Sequence, residues 1–265
     1  MRRYLFALCC LMTLTVNAQV KYLERSWNAE KREVTTQEKT CTNFKEITGS
    51  QPNIRENFES GWYVVKGNVN RFQFRFKGEV HLILTDGCQM GFKQIVVQAS
   101  DKTKLHIHSQ SDGENQGKIV GYNDYFDLNA VIGGVEQSSM GSLYIHGGNI
   151  SAVQAKGSGA AIGGGEKGQI DPKSEIVIYG GKVNAENQDL DAGIGGGYTG
   201  DQGGAIIIYG GTVNAKSGSV LVAAASEFCG DCAYINFVPG TETAGAGKLC
   251  ILSYEKYGLN SVYGQ

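Results

Sequence analysis

Leu143-Tyr-Ile-His-Gly-Gly-Asn-Ile-Ser-Ala152, Ile176-Val-Ile-Tyr-Gly-Gly-Lys-Val-Asn-Ala185 and Ile206-Ile-Ile-Tyr-Gly-Gly-Thr-Val-Asn-Ala215 are three copies of one pattern. Their glycine pairs begin at Gly147, Gly180 and Gly210, a period of 33 and then 30 residues. Between them recurs a second motif: Val131-Ile-Gly-Gly134, Ala161-Ile-Gly-Gly-Gly165 and Gly193-Ile-Gly-Gly-Gly197. Self-similarity at such a period marks a solenoid, propeller or array. Each unit holds three short strand candidates: the Ile-x-Ile-Tyr run, the x-Val-Asn-Ala run and the Gly-Ile-Gly run. Three short strands per unit make one coil of a parallel β-helix. The expected fold is therefore all-β, a three-faced parallel solenoid with irregular terminal caps.

Strand alternation assigns the faces. Leu143, Ile145, Ile176, Ile178, Ile206 and Ile208 should point inward, with Val183 and Val213. Tyr144, His146, Tyr179 and Tyr209 should point outward. Asn184 and Asn214 occupy equivalent places and should form an amide ladder. The glycine pairs supply corners where positive φ or close backbone approach is required.

Outward from the repeat, the chain divides into four parts. Residues 1–18 read as a secretory signal, with Arg2 and Arg3 before an apolar run from Tyr4 to Val16 and a small-residue cleavage site after Ala18. That run is too short for a membrane-spanning helix. Residues 19–60 are polar and without a clean period, and read as an N-terminal extension or cap. Residues 61–215 form the solenoid, beginning with Trp62-Tyr-Val-Val65, Val80-His-Leu-Ile-Leu84, Ile95-Val-Val97 and Leu105-His-Ile-His108. Residues 216–265 break the repeat; they should add terminal strands around Ile235-Asn-Phe-Val238 and Leu249-Cys-Ile-Leu252 and cap the open edge.

The whole chain has a formal charge of −2, and loss of the leader would make it more acidic, so nothing points to nucleic acid. Cys41, Cys88, Cys229, Cys232 and Cys250 would remain after cleavage. Export permits disulfides, and the favoured role is structural pairing with one thiol left over. No cofactor is expected. Gly195-Gly-Gly-Tyr-Thr-Gly200 matches a dinucleotide fingerprint, but the repeat accounts for its glycines and no βαβ unit surrounds it.

The order of motifs from Gly61-Trp-Tyr-Val-Val-Lys-Gly-Asn68 through Val80-His-Leu-Ile-Leu-Thr-Asp-Gly87 and Lys104-Leu-His-Ile-His-Ser-Gln-Ser111 to the glycine repeats resembles a known family. It is similar to exported β-helix repeat proteins of Bacteroides-type gut bacteria, many labelled carbohydrate-binding domain-containing proteins. The resemblance covers about residues 61–215. It implies a right-handed parallel β-helix, a secreted, cell-surface or periplasmic setting, and a glycan or polysaccharide as partner. It implies no nucleic acid and no membrane-spanning segment, and leaves cell-envelope association open.

Stacking the repeats aligns outward side chains into columns. One column runs His108, His146, Tyr179, Tyr209; beside it run His106, Tyr144, Val177 and Ile207. Neighbouring strands are about 4.8 Å apart, so these rings should form a ladder. Flat rings with Asn184 and Asn214 as amide neighbours would suit sugar rings, and His108, Tyr144, His146, Tyr179, Tyr209, Asn184 and Asn214 form the expected binding face. The function expected is non-catalytic carbohydrate binding. The alternative is a β-helix lyase or glycoside hydrolase, for which Asp189, Asp191 and Asp201 are the candidate carboxylates, with Glu166, Asp171, Lys167 and Lys173 on neighbouring turns. A structural surface or matrix protein is the further alternative. A metal site at His106, His108 and His146 is not expected, on the reading that only His108 and His146 share a column.

Overall fold

A computed structural model describes residues 18–189, 191–198 and 204–216, together with the backbone of Ile235–Phe237 and Lys248–Cys250. The chain is a parallel β-helix. One sheet stacks eight parallel strands, Lys45–Ile47, Gly61–Val65, Glu79–Leu84, Lys104–Ser109, Ser142–Ile145, Glu175–Ile178, Ala205–Ile208 and Ile235–Phe237. The other two faces are joined into one twelve-stranded sheet. The joint is the long strand Asn68–Phe76, which pairs Gln89–Phe92 with its first residues and Gln94–Val97 with its last.

The register is that of the repeat. Leu105, Leu143, Ile176 and Ile206 lie in line, and so do Ile107, Ile145, Ile178 and Ile208. All are buried, as are Val183 and Val213 on the next face. Stacked aliphatic columns remove almost all their apolar surface from water, at about 25 cal/mol per Å². Inside the turns, Asn123, Gln154 and Asn187 form a further buried column.

The Gly-Ile-Gly motif has a steric reason. Gly133, Gly163 and Gly195 sit above one another with φ of +147°, +146° and +150°. A Cβ on Gly163 would lie inside the van der Waals envelope of the Gly195 carbonyl oxygen, and one on Gly133 would strike Gly163 likewise. Positive φ and backbone-on-backbone stacking leave only glycine.

The N-terminal region departs from expectation. Lys45–Ile47 and Ser50–Phe58 pair in parallel with the strands of the next coil, so the solenoid starts at Lys45 rather than Gly61. Ser50–Phe58 carries no apolar alternation because it is a terminal strand whose residues are almost all exposed. Ahead of it, β1 (Val20–Asn28) and β2 (Glu33–Cys41) form an antiparallel hairpin whose strands pair only with each other. At the other end, Ile235–Phe237 and Lys248–Cys250 continue both sheets in parallel register with Ala205–Ile208 and Thr212–Lys216. Cys41 and Cys88 are buried free thiols; Cys229 and Cys232 lie outside the described residues. No helix among the described residues is long and apolar enough to cross a membrane.

Candidate functional site

The outward face of the eight-stranded sheet carries two ring columns. Trp62 pairs in register with His81, His81 with His106, and His106 with Tyr144. Their rings stack at 4.1, 4.4 and 4.5 Å between centroids, within 19° of parallel. The second column runs Val64, Ile83, His108, and its ring ladder continues His108–His146 at 4.3 Å, His146–Tyr179 at 5.2 Å and Tyr179–Tyr209 at 5.5 Å. The column expected from the repeat is thus present. Asn214 Nδ2 donates to Asn184 Oδ1 at 2.8 Å, the expected amide ladder, but it lies on the neighbouring sheet and not beside the rings.

The ring face is not an open platform. The β1–β2 hairpin lies across it. Val20 and Tyr22 pack with Val64 and Ile83, Tyr22 meets His108 edge-on at 4.9 Å, and Trp27 stacks on Tyr209 at 4.7 Å. Arg25 pins the hairpin down: its guanidinium donates to the His146 carbonyl oxygen and to both carboxylate oxygens of Asp112. His108 is 0% exposed and His146 6%, so a sugar cannot reach them while the arm is docked. The sequence placed these side chains outward correctly; the cover comes from a segment outside the repeat.

Alternation also corrects the metal argument. His106 and His108 are two residues apart on one strand, so they share a face. His81, one coil earlier, joins them, and one ring nitrogen from each of the three lies within 4.8 Å of the others. With His146 these are the four histidines of the chain, gathered in one cluster. Burial lowers the pKa of all four. It pushes His106 down to about 3 and His146 to about 4, and lowers His81 and His108. Mutual repulsion adds to the effect at His106 and His108. His81 and Trp62 were missed because their coil lies before the clear repeat; aligning Val80 with Leu105 reveals both. Tyr144 donates its hydroxyl to Glu175 at 2.9 Å, and burial raises it to about 12.

The alternative carboxylates lie on a different edge. Asp191 is 2% exposed, its Oδ1 lacks a hydrogen-bond partner, and burial, with the charges of Asp189 and Glu166, pushes it up to about 7. Asp201 lies outside the described residues. A third surface, not foreseen from sequence, is the end of strand Lys118–Asn123 and the turn after it. Tyr122 in the strand and Tyr125 and Phe126 in the turn are 47%, 61% and 84% exposed. Lys93 Nζ stands 5.5 and 5.3 Å from the ring centres of Tyr122 and Tyr125 and pairs with Asp124 at 2.6 Å; Lys156 Nζ stands 5.9 Å from Phe126.

The fold and its stacked outward columns define the class as a parallel β-helix repeat protein. The family model described as Beta helix repeat matches residues 143–166, 176–198 and 206–226, the units carrying the three glycine-pair motifs. No curated protein and no solved structure matches the chain.

Proposed function

We propose that this β-helix is a non-catalytic carbohydrate-binding protein, and that its contact surface is the strand end and turn bearing Tyr122, Tyr125 and Phe126. The observation that carries the reading is the exposure of these three neighbouring rings, up to 84% at Phe126, beside charged groups. Ring faces pack against sugar CH groups, while Lys93, Lys156 and Asp124 offer donors and an acceptor for hydroxyls. The turn is preorganised. Asn123 Oδ1 accepts from the Tyr125 amide at 3.2 Å and Asp127 Oδ1 from the Asn129 amide at 3.1 Å, while the Asp127 carbonyl accepts from the buried Gln154 side chain. Contiguous exposed aromatic surface of this kind marks a binding patch more often than chance. An exported setting, in the cell envelope or outside it, accords with the leader-like residues 1–18.

The test is a glycan and polysaccharide screen that reads bound ligand and released chain ends together, run on the wild type and Tyr125→Ala/Phe126→Ala. Both side chains are exposed, so the double variant should fold normally. Binding lost in the variant supports the proposal; binding retained in it, or no binding at all, refutes it. New chain ends would refute the non-catalytic reading.

A further inference from the structure

The four imidazoles form two hydrogen-bonded ranks, and the arm sets the tautomer of one of them. His146 Nδ1 lies 2.8 Å from the Arg25 carbonyl oxygen, which can only accept, so this nitrogen carries the proton. The competing Arg25 amide is farther away, at 3.4 Å. His146 Nε2 is then a lone pair, and His106 Nδ1, 3.3 Å away, must donate to it. That leaves His106 Nε2 as a lone pair, buried and with no hydrogen-bond partner. In the second rank His81 Nδ1 is 3.3 Å from His108 Nε2, while His108 Nδ1 is buried without a hydrogen-bond partner. With His81 donating across that contact, its Nε2 is a lone pair as well. His81 Nε2 and His106 Nε2 stand 3.7 and 3.8 Å from the same oxygen, Glu79 Oε1.

Two imidazole nitrogens within 3.8 Å of one carboxylate oxygen are a donor set for a borderline divalent transition metal. A bound ion would also give the buried, unpartnered His106 Nε2 the partner it lacks. We propose that His81 Nε2, His106 Nε2 and the Glu79 carboxylate bind a zinc or copper ion, with His146 holding His106 in the required tautomer. Behind each ligand an imidazole stands in hydrogen-bond reach of its Nδ1, the outer support that metal-bound histidines use to fix orientation and basicity. The rings stack at 4.4 Å and 19°, so their lone pairs run side by side; an ion about 2.0–2.1 Å from each turns the rings toward one another. Glu79 is 58% exposed and free to follow.

Equilibrium dialysis of the purified chain against Zn2+, with metal counted per chain, is the first test. Stoichiometric zinc should bind, be lost in His106→Gln, and weaken about tenfold or more in Glu79→Gln. Because Glu79 is largely exposed, that variant should keep the wild-type far-UV spectrum even if His106→Gln does not. In parallel, Cu2+ should quench Trp62, which stacks on His81 at 4.1 Å, and the quenching should survive Trp27→Phe. Absence of stoichiometric zinc, or zinc affinity unchanged in a folded Glu79→Gln, would overturn the site.

Discussion

Acidifying the metal-free protein from about pH 7.5 to 5 should weaken the fold through the imidazole cluster, and His146→Gln should remove part of that response. Burial holds His146 near 4 against an ordinary 6.5. Below 6.5 the unfolded chain takes up a proton that the folded ring refuses. The unfolded state then binds more protons, so stability falls as pH drops. Each unit between 6.5 and the folded value removes about 1.4 kcal/mol, so His146 alone accounts for about 2 kcal/mol at pH 5. His106, held near 3, acts with the same sign, but it shares a hydrogen bond with His146 and the two contributions do not simply add. Glu79, Lys104, Glu24 and Arg25 are the charged groups around the cluster, and Lys104 and Arg25 oppose further protonation. Asp191 pulls the other way. Its folded carboxyl keeps, up to about 7, a proton that the unfolded chain releases above 3.8, so acidification from pH 7 to 5 restores about 2 kcal/mol. Urea unfolding followed by circular dichroism across this range resolves the two. Relative to wild type, the response to acid should move toward stabilisation in His146→Gln and toward loss in Asp191→Asn. Equal pH slopes for wild type and His146→Gln would refute the assignment of neutral imidazoles to the folded state.

Two further perturbations probe the scaffold and its cover. Gly163→Ala forces a Cβ into the Gly195 carbonyl at positive φ, and should cost about 3 kcal/mol or more; a thermal melt within a few degrees of wild type would contradict the stacking argument. Arg25→Ala removes charge-assisted bonds to the His146 carbonyl and Asp112, each worth about 1.5–3 kcal/mol, though the exposed end at Asp112 lies at the lower limit. Protease cleavage at the turn between Asn28 and Glu33 should accelerate, with the fluorescence of Trp27 shifting as its stack on Tyr209 opens; unchanged cleavage would mean that apolar packing alone holds the arm.

What the sequence revealed follows from how a parallel solenoid stores information. Register places Leu143, Ile176 and Ile206 above one another, so a repeat in sequence is a column in space, and the core, the corners and the ring ladder could all be read from three units. Where the repeat decays, the same logic weakens: His81 belongs to the imidazole column, but its coil shares only register with the later ones. The arm lies beyond that logic altogether. Arg25 and His146 touch across 121 residues, through a hairpin that pairs only with itself, and no periodicity encodes which face such a hairpin will cover. Its strand β1 does alternate, burying Val20 and Tyr22, which signals a partner surface without naming it. The exposed rings at Tyr122, Tyr125 and Phe126 were unreadable for the opposite reason. Tyr125 and Phe126 sit where the chain has left the strand for a turn, and there alternation assigns no face; Tyr122 follows the alternation of its strand but lies in a coil before the clear repeat. The surfaces most open to a partner and the segment that closes the ring face are therefore both contributed by residues outside the repeat. The repeat supplies the frame on which they are held; the chemistry that distinguishes this protein from any other stack of glycine-cornered coils is set by its departures from it.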